Sequence, residues 1–104
     1  MKITSQLPLL KSLFEKHKIQ TAYLFGSVLT ENFNNESDID ILINFIPNLE
    51  PEERGELWWS LYYELKDSLH REIDLVTESS LKNPYFIKAV NETKVKIFNS
   101  QLNQ

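Results

Sequence analysis

The chain has 104 residues, 41% of them apolar and 25% charged, with a formal net charge of -4 and no cysteine. These figures describe one ordinary globular domain over residues 1–104. They exclude disulfide scaffolds, thiolate zinc sites and cysteine nucleophiles, and scattered basic residues on an acidic chain argue against a grip on nucleic acid backbones.

The opening MKITSQLPLLKSLFEKHK is interrupted by Lys11 and Glu15, so it does not read as a signal peptide. No apolar run is long enough to span a membrane, and a cytoplasmic setting is the expectation. Leu10, Leu13 and Phe14 recur at helical spacing and predict a first amphipathic helix over Leu7–Lys18. QTAYLF, Gln20–Phe25, reads as a strand that ends at Gly26. Residues 27–33 are expected to form a turn or short helix, and the polar run 34–37 a turn.

Asp38–Ile46 gives the clearest strand signal, because Ile39, Ile41, Ile43 and Phe45 alternate with Asp38, Asp40, Leu42 and Asn44. Pro51 opens a long helix with Glu52 and Glu53 in its first turn, where the helix dipole favours carboxylates. Its expected buried stripe is Leu57, Trp58, Leu61, Tyr62, Leu65 and Leu69, which leaves Trp59 or Tyr63 as an interface candidate. Glu72–Thr77 predicts a third strand, with Ile73 and Leu75 on one face and Asp74 on the other. Asn83-Pro84 reads as cap and first position of a helix to Thr93. Lys94–Phe98 alternates and reads as a last strand or as a continuation of that helix. His17 and His70 are expected at solvated helix ends. The fold class is α/β: a small mixed sheet flanked by helices.

Period two puts Asp38 and Asp40 on one strand face, about 7 Å apart at their roots. Two carboxylates so placed repel unless a cation lies between them. An oxygen-only donor set suits Mg²⁺, which shares its shell with water and substrate phosphates. Gly26-Ser27, at a strand-to-helix turn, adds a glycine that lets backbone approach a ligand and a hydroxyl with free amides for phosphate oxygens. Asp74, on another strand, would complete a triad for two ions, the arrangement that clamps the attacking and leaving oxygens of an in-line displacement. This is the chemistry of phosphoryl or nucleotidyl transfer.

Gly26-Ser27 followed by Asp38-Ile39-Asp40 resembles the signature of the DNA polymerase beta-like nucleotidyltransferases. The length resembles their minimal (MNT) members, which are mostly encoded beside a HEPN-domain protein in toxin–antitoxin pairs. YLFGS, DIDILINF, REIDLVT and NPYFIKAVNETKVKIF extend the likeness over nearly the whole chain. The resemblance implies an enzyme that binds Mg-ATP through Gly26, Ser27, Asp38 and Asp40. It also implies transfer of AMP to a hydroxyl, by family analogy a tyrosine of a HEPN ribonuclease, with Asp74 binding metal and activating that hydroxyl. The chain departs from the pattern in one place. Many relatives carry Arg and then Gly shortly after the Gly-Ser, and Val28-Leu29-Thr30-Glu31 stand here. Two other readings stay open: an antitoxin that masks its partner without chemistry, and a nucleotidyltransferase for a small hydroxylated molecule. Homo- or hetero-oligomers are compatible with all three.

Overall fold

The computed structural model describes residues 3–26 and 38–100. A 3₁₀ turn, Ile3–Gln6, leads into α1 (Leu7–Lys16), followed by β1 (Ile19–Phe25), β2 (Ile39–Phe45), α2 (Pro51–Leu69), β3 (Ile73–Thr77), a 3₁₀ turn (Glu78–Ser80), α3 (Pro84–Thr93) and β4 (Val95–Asn99). The strands form one sheet in the order β3-β2-β1-β4. β1 runs antiparallel to β2 and β4, while β2 and β3 are parallel, joined through α2. The mixed α/β sheet expected from the sequence is present, and 95–99 form its edge strand rather than more helix. The turn expected over 27–33 and the polar run 34–37 lie outside the described residues.

The main core lies on one sheet face. Ile39, Ile41 and Ile43 are fully buried there, among Leu10, Leu13 and Phe14 of α1 and Leu61, Leu65 and Leu69 of α2. Each such side chain contributes roughly 1.5–3 kcal/mol through burial. The α2 stripe is narrower than the six residues expected, because Leu57, Trp58 and Tyr62 are only half-buried. Trp58 stays in place by donating its Nε1–H to the Leu75 carbonyl at 3.2 Å and by stacking on Tyr62. Trp59 and Tyr63 are 54% and 60% exposed, as the crowding of four aromatic rings on one helix requires.

The opposite sheet face carries the aspartates, and α3 covers part of it. A second apolar cluster forms there from Phe25, Leu42 and Val90, with Tyr23, Val76 and Leu81 packed against it. Asn83 starts α3 as expected: its side-chain oxygen accepts the N–H groups of Tyr85 (2.9 Å) and Phe86 (3.3 Å), with Pro84 at the first helical position.

One expectation fails. His17 is not solvated; it is 2% exposed. α1 ends at Lys16, two residues early, and the chain reverses through Lys18 in a left-handed conformation (φ 59°). That reversal turns the imidazole inward against α2. Its Nδ1–H donates to the Leu13 carbonyl at 2.7 Å, while Nε2 lies 2.9 Å from Ser60 Oγ and 2.8 Å from Glu64 Oε2. Glu64 also accepts from Lys16 at 2.8 Å. These contacts, led by the Lys16 hydrogen bond, hold the Glu64 carboxyl below its ordinary range against the opposing effect of burial. His70 is an exposed left-handed cap of α2, at φ 55°.

Candidate active site

The strand register assembles the site. Phe25 pairs with Asp40 across the β1–β2 ladder, and Asp40 pairs with Asp74 across the parallel β2–β3 ladder. Three adjacent strands therefore present Phe25, Asp40 and Asp74 in one row. Neighbouring strands lie about 4.8 Å apart, whereas residues two apart on one strand are separated by about 7 Å. Asp74, 34 positions downstream in the sequence, is thus a closer backbone neighbour of Asp40 than Asp38 is.

Gly26 follows Phe25 directly, at φ +76°, where L side chains are strained. A Cβ here would run into the Asp40 carboxylate and stand 3.0 Å from its Cγ. The missing side chain leaves a hollow beside that carboxylate. Gly26, Asp40 and Asp74 line one cavity of about 330 Å³, whose far wall is Phe86, Ala89 and Thr93 of α3. Phe86 meets Phe25 edge-on at 6.1 Å between ring centres, closing one end.

Asp38 is exposed, immediately before β2, and does not line this cavity. Its neighbour Ile39 donates its N–H to the Glu72 carbonyl at 3.0 Å, so the start of β2 is tied to the approach to β3. Ser27, Thr30 and Glu31 lie outside the described residues. Among the described residues no three His, Asp or Glu side chains converge on a point where they could hold an ion. Two carboxylates suffice for Mg²⁺ when substrate phosphates complete its shell. The oxygen-only pair Asp40 and Asp74, beside a hollow that a Cβ would fill, fits such an ion.

The spacing of the sequence pointed to the acids and the glycine but not to the α3 wall. Phe86, Ala89, Val90 and Thr93 follow one another at helical intervals, and that periodicity was the available signal. A larger hollow of about 550 Å³ lies at the other end of β2 and β3, between Phe45, Arg54, Trp58 and Thr77. Among the described residues its lining holds no carboxylate.

The family model described as "Polymerase beta, Nucleotidyltransferase" matches residues 9–103. A protein of Methanocaldococcus jannaschii named "Putative protein adenylyltransferase MJ1379" is 34% identical over 91 residues, covering 84% of this chain and 85% of that one. A crystal structure of a toxin–antitoxin with AMP-PNP superposes with a TM-score of 0.70 at 25% identity, over 91% of this chain and 74% of that one. The tri-AMPylated Shewanella oneidensis HEPN toxin in complex with MNT antitoxin gives 0.66 at 24% identity, over 97% and 75%, a likeness of fold. The family-wide match, the adenylyltransferase relative and the shared small fold make this chain a minimal member of the polymerase beta nucleotidyltransferase family, and an enzyme.

Proposed function

We propose that this nucleotidyltransferase takes ATP with Mg²⁺, transfers AMP to a tyrosine hydroxyl of a HEPN ribonuclease toxin, and so acts as the antitoxin of the pair. The observation that carries the reading is the abreast placement of Asp40 and Asp74 beside Gly26, in a cavity walled by α3. The adenylyltransferase name of the Methanocaldococcus relative and the AMP-PNP in the structural neighbour support the nucleotide. The HEPN toxin seen with an MNT antitoxin of the same fold supports the partner.

In this reading Asp40 and Asp74 would hold Mg²⁺, which when bound neutralises charge on the phosphates, while Asp38, exposed outside the cavity, is left out of the ligand set. Gly26 lets backbone approach a phosphate oxygen, and the adjoining Ser27 offers its hydroxyl. Asp74 accepts the proton as the tyrosine oxygen attacks the α-phosphorus. A new P–O bond forms to the tyrosine, the bond between the α-phosphorus and the bridging oxygen breaks, and pyrophosphate leaves. The apolar wall of Phe25, Phe86, Ala89 and Val90 keeps water from competing with the acceptor.

The test uses ATP labelled at either the α- or the γ-phosphate, with Mg²⁺ and the protein encoded by the neighbouring gene. Label from the α position, and not from the γ position, is expected on the partner. Absence of transfer from the α position would remove the AMP-transfer claim. One observation favours a second reading, an antitoxin that masks its partner without chemistry: residues 27–37 contain no Lys, Arg or His, and contribute Glu31 and Glu36 instead. In that case Asp40→Asn/Asp74→Asn protein still neutralises the toxin in cells.

A further inference from the structure

A nucleoside triphosphate is a dense anion, and the candidate site is already acidic. Relatives commonly supply a cation just after the Gly-Ser, but here 27–37 are devoid of basic residues. The compensating charge has to come from elsewhere in the fold.

Not every lysine near α3 is placed for that task. The helix turns Phe86, Ala89, Val90 and Thr93 toward the cavity. Lys88 is off that face, its side chain 77% exposed and 3.9 Å from Glu92. Lys94 and Lys96 are different. Lys94 immediately follows Thr93, and its Nζ lies 4.3 Å from the centre of the Tyr23 ring. Lys96 is the register partner of Tyr23 across the β1–β4 ladder, and its Nζ lies 5.8 Å from the same ring centre. Both distances are within cation–π range. Among the described residues neither ammonium forms an ion pair with a carboxylate.

Tyr23 belongs to the Asp40 face of the sheet. It pairs with Leu42 and packs against the Phe25–Leu42–Val90 cluster beneath α3. It stands two residues before Phe25, so about 7 Å of strand separates its ring from the Phe25–Asp40–Asp74 row. Tyr23 and the two lysines border the cavity without lining it, Lys94 as the residue directly after the lining Thr93, so a flexible ammonium and not the ring has to reach the outer phosphates. We infer that Lys94 and Lys96, perched on Tyr23, form the cationic seat for the β- and γ-phosphates. They take the place of the missing cation after Gly26-Ser27.

The inference rests on the nucleotide reading above, and the experiment separates the two. ATP and AMP affinities are measured by titration calorimetry, with Mg²⁺, for the wild type, Lys94→Ala, Lys96→Ala, the double variant, Lys94→Arg and the control Lys88→Ala. Each alanine variant is expected to weaken ATP by about tenfold, the loss of one charge-assisted contact, and AMP by less than about twofold. Lys94→Arg retains most of the ATP affinity, and Lys88→Ala is unchanged. All six are expected to keep a cooperative melt by circular dichroism, since Lys96 is exposed and Lys94 is half-buried without a carboxylate partner among the described residues. Unchanged ATP affinity in the double variant, or equal losses for ATP and AMP, overturns the inference while leaving the nucleotide reading in place. A wild type that binds no ATP overturns both.

Discussion

Replacing Gly26 with alanine perturbs two things at once. The backbone at φ +76° costs an L-residue roughly 1–2 kcal/mol relative to glycine. The new Cβ would also collide with the Asp40 carboxylate, with Asp40 Cγ at 3.0 Å and Cβ at 3.4 Å. Rotating the carboxylate about its own axis relieves only the oxygen contact. Clearing Cγ requires a change in the first side-chain torsion, which moves the carboxylate out of its place between Gly26 and Asp74. The expected result is a loss of about 1–2 kcal/mol in stability and a fall in nucleotidyl transfer of about 10²-fold, the order produced by a 1 Å misplacement. Gly55 supplies the internal control. It lies inside α2, and a Cβ there meets nothing within 4 Å, so Gly55→Ala should gain about 0.5–1 kcal/mol from helix propensity with activity unchanged. Urea unfolding measures the first quantity and pyrophosphate release the second. Full activity in Gly26→Ala would refute the claim that this glycine exists to leave room for the Asp40 carboxylate.

Three further outcomes follow from the same geometry. Asp40→Asn and Asp74→Asn each remove one of two abreast like charges; without Mg²⁺ both should melt at or above the wild-type temperature, while transfer falls at least about 10²-fold, and Mg²⁺ should stabilise the wild type alone. His17→Ala removes a buried imidazole bonded to Leu13 and set against Ser60 and Glu64, and should cost about 2–3 kcal/mol in urea unfolding. Glu64→Gln should cost less than about 1 kcal/mol near neutrality, because its side chain is 35% exposed and screened. Since the folded Glu64 carboxyl is held below its ordinary value of 4.5, its contribution is complete above that value and is lost as pH falls through the lower folded one. The stability gap between wild type and Glu64→Gln should therefore close in acid, measured by melting temperature as a function of pH.

The parts of this fold that the sequence made legible are those set by local chemistry. The alternation around Ile39, Ile41 and Ile43 specifies a strand with one buried face, and β2 ends within a residue of where that alternation and Pro47 place it. Asn83-Pro84 specifies the start of α3 because the cap needs only the next three residues. The opaque parts depend on distant partners. Nothing beside His17 announces that Ser60 and Glu64, more than forty positions away, would receive it. The pairing of Asp40 with Asp74 is likewise a matter of register between strands joined by a 19-residue helix. The coverage of the aspartate face by α3 also escaped the period-two pattern, which tells the two faces of a strand apart but not what lies over each. Trp59 and Tyr63 were the reverse case: four adjacent rings cannot share one stripe, so their exposure followed from counting.

The central claim is that this chain transfers AMP from ATP to its protein partner through Asp40 and Asp74. Intact-mass spectrometry of the HEPN-domain partner, after incubation with Mg-ATP and either wild type or Asp40→Asn/Asp74→Asn, tests it most directly. The account predicts whole AMP units added to the partner by the wild type and none by the variant, with the adduct on a tyrosine. An unmodified partner that is nevertheless bound and inactivated equally by both proteins would contradict it.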